Sequence, residues 1–303
     1  VLISLSLLIM IGLRKEGVWI GGIIIMYIIT LIGLGGKQYR GLGPAPASKG
    51  VMVIPLNGTV SVGQSEWMPV GADLVITMLR EARSSKHVMG IILQINSPGG
   101  HVASSQTVYD EIRAFQDDTD IPIVATIGDV GASGAYWVAL AADAIVAQPG
   151  SLVGSMGVIT QVPDLTHVSE RYGVGMRTYK SGALKDMLNP WREHTDHEQH
   201  VIQDVLDDIH KQFIATIMER RDMSESDAKA LADGRIYTGR QAKQTGLIDA
   251  LGGEDVALQY IAELCHIDTI PKVIERHGSG WQSLLDWWSA LRAWHPIRPL
   301  MIY

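Results

Sequence analysis

Apolar residues fall along this chain in three regimes. From 1 to 36 they are nearly continuous, interrupted by Arg14-Lys15-Glu16, and the stretch 17–36 carries no charge. From 51 onward, short apolar runs alternate with helical stripes, and from Asp196 the pattern is wholly helical. In the middle regime Val51–Leu56, Gly90–Ile95, Pro122–Ile127 and Ala144–Ala147 predict buried strands. Between them, Ala72–Arg83 places apolar residues at 72, 75, 76, 79 and 82, and 102–115 places Val102, Val108, Ile112 and Phe115 on one helical face. Strands alternating with crossover helices predict an α/β domain whose parallel sheet is covered on both faces. A helix around 164–172 and a strand at Val174–Tyr179 continue that series.

The helical regime opens with one long amphipathic helix, His197–Arg221. Ser224 with Asp227 has the form of a capping box and starts a helix that runs to Leu231. Gly239–Thr245 and Glu254–Leu264 are further helices. Beyond Gly278-Ser279-Gly280, Trp281, Leu284, Leu285, Trp288, Leu291 and Trp294 form a stripe dense in tryptophan. It reads either as a helix docked on the protein or as one lying at the lipid headgroups.

The stretch 17–36 is long enough to span a hydrocarbon core of about 30 Å and longer than the apolar part of a signal peptide. Residues 1–36 are therefore expected to be a membrane anchor with a span at 17–36, and 1–13 is a candidate for a second, short span. Positive charges flank the span on both sides, Arg14 and Lys15 before it and Lys37 and Arg40 after it, so they assign no orientation. The Gly/Pro/Ala/Ser-rich 37–50 is a linker, 51–265 the globular domain, and 266–303 the tryptophan-rich helix and tail.

Composition narrows the function. The net charge is −7 and no basic patch with interleaved aromatics occurs, so nucleic acid is not an expected partner. The single cysteine, Cys265, excludes an intrachain disulfide and a cysteine-based metal site, and reads as a packed thiol. No metal and no cofactor is expected. Two glycine turns stand at strand ends, where open α/β proteins place their chemistry: Asn96-Ser97-Pro98-Gly99-Gly100 and Gly131-Ala132-Ser133-Gly134-Ala135. A serine among small residues at the start of a helix is poorly placed for packing and well placed for attack, which makes Ser133 the candidate nucleophile. It needs a base. His101 follows the double glycine, and His167 is a rival that reads better as a surface residue. A lysine serves where an apolar pocket disfavours the ammonium. Tyr179-Lys180-Ser181-Gly182-Ala183-Leu184-Lys185-Asp186 offers two, and spacing alone does not choose between Lys180 and Lys185.

Those two turns, Gly154-Ser155-Met156-Gly157-Val158, Lys180 to Asp186, and Ala232-Asp233-Gly234-Arg235-Ile236-Tyr237-Thr238-Gly239 with Gly246-Leu247-Ile248-Asp249 occur in the order seen in the signal peptide peptidase A family. The chain resembles its short, single-repeat form from about 51 to 265. The resemblance implies a ClpP/crotonase-like fold of stacked ββα units and a membrane-bound serine peptidase with a Ser-Lys dyad. Ser133 matches the nucleophile, Lys185 the general base, and Ser155 the serine that orients the lysine. Gly134 and either Gly99 or Gly100 match the oxyanion hole. Further implied are remnant signal peptides or other small hydrophobic peptides as substrates, and homo-oligomeric rings whose neighbouring subunits complete the active sites. The resemblance also implies a bacterial-type cytoplasmic (inner) membrane with the catalytic domain outside the cytoplasm, and a C-terminus, here 296–303, able to occupy the substrate groove. The chain departs from the family in having Gly134-Ala135 where two glycines are frequent. Two rival functions are an acyl-CoA enzyme of the crotonase type, which also uses paired backbone N–H donors, and a membrane scaffold with a decayed protease domain.

Overall fold

The computed structural model describes residues 49–63 and 71–274. The expected anchor (1–36), most of the linker, and the tryptophan-rich stripe with the tail beyond 274 lie outside the described residues. Among the described residues no helix is long and apolar enough to cross a membrane.

The sheet grows from the apolar runs. β1 (Gly50–Asn57), β2 (Val88–Ser97), β3 (Ile123–Ala132), β4 (Ala144–Ala147) and β7 (Ala250–Leu251) lie side by side in that order, all parallel. Between them in sequence come α1 (Ala72–Ser84), α2 (Val102–Asp118) and α3 (Gly134–Ala139). Successive strand side chains point to opposite faces, and both faces are buried. On one face Val51, Ile92, Val124, Ala144 and Val146 pack against Ala257 and Ile261 of α8 (Glu254–Leu264). The alternate set, Met52, Ile54, Leu56, Ile91, Leu93 and Ile95, is buried on the other. Continuous apolar runs are what a doubly covered parallel sheet requires. The α/β class and the alternation therefore follow the sequence reading.

Two details position the site. First, β3 bends. Ile127 still pairs with β4, but Val130, Gly131 and Ala132 pair with β5 (Leu152–Gly154), and the β2–β3 register breaks between Ile95 and Ser97. Side chains hold the displaced backbone: Asn96 Oδ1 accepts from the Val130 N–H at 3.2 Å, and the Ser151 hydroxyl donates to Gly128 O at 2.5 Å. Second, β5 pairs antiparallel with β6 (Ile236–Thr238), which brings the Ala232–Gly239 segment beside the end of β3. The remaining helices are α4 (Thr166–Tyr172), α5 (Asp196–Arg221), α6 (Glu225–Leu231) and α7 (Gly239–Gln244). Ser224 caps α6 by accepting from the Asp227 N–H, as its spacing predicts. Trp137 of α3 stacks on Phe213 of α5 with centroids 4.5 Å apart. Cys265 ends α8 half-buried, donates to Met89 O at 3.2 Å, and burial raises its thiol pKa.

The expected strand at Val174–Tyr179 does not form. Those residues are irregular and exposed, Tyr179 at 92%. Alternating hydrophobicity supplies a strand face, but a strand also needs a neighbour to take its backbone hydrogen bonds.

Candidate active site

Ser133 joins β3 to α3 with φ 52° and ψ −127°, a conformation L-residues rarely adopt. The surroundings impose it. Its N–H donates to Gly154 O at 2.7 Å, while its carbonyl accepts from the Tyr136 and Trp137 N–H groups at 2.9 and 3.1 Å. The helix behind it is buried from Gly134 to Ala139, and the Tyr136 hydroxyl is anchored on Leu247 O at 2.6 Å. Burial raises the Tyr136 phenol pKa, so it stays a neutral donor. A serine held off the favoured backbone regions by such determinate contacts is the pattern found where strain serves a site.

The double-glycine turn lies against it. Gly99 has φ 108°, and a Cβ there would stand 2.7 Å from Ser133 Cβ and 2.9 Å from Gly134 N. A Cβ on Gly134 would meet Ser105 Oγ at 2.2 Å and Gly100 N at 3.4 Å. Close approach and the positive φ require glycine at 99, while a side chain at 134 would have to displace the Ser105 hydroxyl. The Gly99 N–H donates to the fully buried Ser97 Oγ at 3.2 Å. Gly100 bridges Val60 in parallel fashion through its neighbours: Val60 N donates to Gly99 O and His101 N donates to Val60 O. In that pattern the N–H of Gly100 itself turns to the opposite side. The Gly134 N–H belongs to the first turn of α3, whose donors have no partner within the helix. The Gly100 and Gly134 amides are thus brought together beside Ser133. Ser97 and Ser105, which shape this pair, were not singled out from the sequence; burial of a serine is a tertiary property.

Ser155 is one residue beyond β5. The last β3–β5 pair is Ala132 with Gly154, so Ser133 and Ser155 each follow a paired residue at adjacent strand ends. Ser155 also has a positive φ, 50°, and its N–H donates to Arg235 O at 2.8 Å. That carbonyl belongs to the Asp233-Gly234-Arg235 turn.

Lys185 lies in the turn 181–188 and Lys180 immediately precedes it. Lys180 Nζ donates to Ala183 O at 2.7 Å and to Asp186 Oδ1 at 2.5 Å, so it is spent on holding the turn. Lys185 is exposed, and among the described residues its amine makes no hydrogen bond or ion pair; none joins it to Ser133 within the chain. His101 caps α2 with its backbone and is exposed. His167 lies on the surface of α4, 3.6 Å from Glu170. Neither histidine bonds to Ser133. Among the described residues there is no cluster fit to hold a metal ion.

Comparison with known proteins fits this geometry. The model of peptidase family S49 matches residues 115–268, and that of the NfeD1b N-terminal domain matches 50–167. A Synechocystis protein provisionally named a protease is 36% identical over 221 residues, 70% of this chain and 79% of that protein. An Enterococcus faecium protein provisionally named signal peptide peptidase SppA is 33% identical over 216 residues, 70% of this chain and 62% of that protein. The chloroplastic serine protease SPPA of Arabidopsis thaliana is 30% identical over 247 residues, 78% of this chain but 36% of that protein. With the family model covering Ser133 to Lys185 and beyond, and relatives of this likeness, the chain belongs to peptidase family S49, the serine peptidases related to signal peptide peptidase A.

Proposed function

We propose that this chain is a membrane-anchored serine endopeptidase that cleaves remnant signal peptides or other small hydrophobic peptides with Ser133 as nucleophile and Lys185 as general base. The observation that carries the reading is the backbone of Ser133, held at positive φ against the amides of Gly134 and Gly100. The Lys185 amine takes the Ser133 proton, Oγ attacks the peptide carbonyl, and the two amides hold the oxyanion. Such donors are each worth about 3 kcal/mol. The protonated lysine then serves the leaving amine, and water cleaves the acyl-enzyme. Ser155 orients the lysine. Of the two glycines offered by the sequence, Gly100 is the second oxyanion donor, because the Gly99 N–H is committed to Ser97.

Lys185 reaches Ser133 from a neighbouring copy. Its exposed position on an irregular segment supports this, as does the row of exposed apolar residues on that segment, among them Val174, Met176 and Tyr179. Burial against such a surface disfavours an ammonium, which is what a lysine base needs. The fold on this reading is ClpP/crotonase-like, assembled in a ring at a bacterial-type inner membrane, with 17–36 as the tether that keeps the site near its substrates. Membership of the peptidase family decides against the acyl-CoA reading.

The test is peptide cleavage by wild type, Ser133→Ala and Lys185→Ala, alone and as co-assembled mixtures. Each variant alone is expected to be inactive, to resist fluorophosphonate labelling at 133 in the first case, and to regain cleavage when the two are mixed. Equal activity in all three proteins would reject the dyad, and no activity in any of them would leave the scaffold reading; an active wild type with inactive singles and no recovery on mixing would place both residues in one chain.

A further inference from the structure

The segment that carries Lys185 has little to hold it by packing. Residues 173–195 contain no helix or strand, and Val174, Met176, Tyr179 and Leu188 are exposed. One guanidinium takes the place of a core. Arg192 Nε donates to Asp186 Oδ2 at 3.2 Å, and Nη2 donates to Asp186 Oδ1 at 2.9 Å and to the Asp186 carbonyl at 3.0 Å. On its other edge, Nη2 donates to Glu198 Oε1 at 2.6 Å, and Nη1 donates to Glu198 Oε2 at 2.9 Å and to Glu193 O at 3.0 Å. Every N–H of the guanidinium has a partner.

Both carboxylates are shielded, Asp186 12% and Glu198 4% exposed. Glu198 is itself fixed: it completes the capping box of α5 by accepting from the Thr195 N–H at 2.9 Å. A chain of contacts therefore runs from the start of a 26-residue helix through Glu198 and Arg192 to Asp186, the residue next to Lys185. Isolated surface ion pairs contribute little, but a two-sided, fork-to-carboxylate arrangement fixes geometry as well as charge.

We infer that Arg192 is a positioning residue of the peptidase reaction, clamping Asp186 to the start of α5 and so setting where the Lys185 amine is presented. The inference rests on the Ser133–Lys185 reading given above. A misplaced base loses rate and not substrate affinity, because small displacements from the reacting geometry act on the chemical step. Lysine does not replace the fork, since it is a point charge.

The experiment uses the full-length protein and a fluorogenic peptide, with Ser133→Ala and Lys185→Ala as references. Arg192→Ala is expected to lower kcat by about 10- to 100-fold with KM changed less than about two-fold, and to leave the thermal transition of the sheet near that of wild type. Millimolar guanidinium restores part of the activity of Arg192→Ala and none of that of Lys185→Ala. Arg192→Lys remains impaired. Asp186→Asn, which keeps the size of the side chain, falls in the same direction and carries the test if Arg192→Ala does not fold. A fully active Arg192→Ala beside an inactive Lys185→Ala overturns the inference alone. So does a loss that tracks unfolding and shows no guanidinium rescue. A fully active Lys185→Ala overturns the dyad, and this inference with it.

Discussion

The two halves of the proposed dyad are built by different physics. Ser133 stands at the end of a buried parallel strand, its backbone fixed by Gly154 on one side and by a helix without an exposed residue behind it. Steric exclusion shapes that position: a Cβ at 99 would stand within 3 Å of Ser133 Cβ and of two backbone atoms. Lys185 stands on an irregular, solvent-facing turn whose order comes from ion pairs among Lys180, Asp186, Arg192 and Glu198. Packing is nearly indifferent to salt and pH, whereas a polar clamp is sensitive to both. The proposed nucleophile is therefore a permanent feature of the fold, and the proposed base is a conditional one.

The largest effect that sharpens this contrast is expected at Gly99. Gly99→Ala puts a Cβ within 3 Å of Ser133 Cβ, of Ala132 O and of Gly134 N, at a φ of 108°. None of these is the far end of a flexible side chain, so the turn must move and take the Gly100 amide with it. Loss of one oxyanion donor costs about 10²- to 10³-fold in kcat, and backbone strain adds a stability loss of about 1–3 kcal/mol. Peptidase kinetics together with a denaturant melt measure both. A Gly99→Ala protein with wild-type kcat would show that the proposed oxyanion amides do not depend on this turn.

That steric half is also the half that was legible in the sequence. The apolar runs of β1 to β4 and the glycine turns after β2 and β3 follow from local residue choice, because a doubly covered strand must be apolar and a crowded turn must be glycine. The short strands β5, β6 and β7 were not legible: three, three and two residues give no periodicity, and Leu152 and Ile236 are exposed. Yet β5 is what places Ser155 beside Ser133. The expected strand at Val174–Tyr179 failed for the converse reason, a good local pattern without a neighbouring strand. The Arg192 clamp was hidden because it joins residues whose spacing has no period. Thr195-x-x-Glu198 spells a capping box, but nothing local says that the same glutamate also receives an arginine.

The conditional half predicts a selective acid response. Hydrogen bonds from Arg192, and after it the Thr195 N–H, bring the Glu198 pKa from 4.5 down to about 2. Arg192 and then Lys180 hold the Asp186 carboxyl well below its ordinary range. A carboxylate with a depressed folded pKa contributes stability that is complete above its unfolded value and disappears as pH falls through the folded one. The clamp is thus whole above about pH 4.5 and is lost toward about pH 2. Hydrogen exchange should show protection of 180–198 falling in that window while β2 and β3 stay protected. Parallel loss in both regions would mean that acid attacks the whole fold and that the clamp has no separate stability.

The smallest effect is expected at Lys180, and it tests which cation holds Asp186. Lys180 meets a single carboxylate oxygen, while Arg192 takes both oxygens and the main-chain carbonyl of the same residue. The lysine side chain is 34% exposed, so solvent screens its pair. Lys180→Met should therefore reduce peptide cleavage by less than about five-fold, with the deficit relative to wild type shrinking in high salt. In an Arg192→Ala background the lysine is the remaining cation on Asp186, and the two losses should then exceed their sum, as they do for residues sharing one partner. If Lys180→Met alone costs as much as Arg192→Ala, the turn is held from within by its own lysine, and the link from α5 to the base is dispensable.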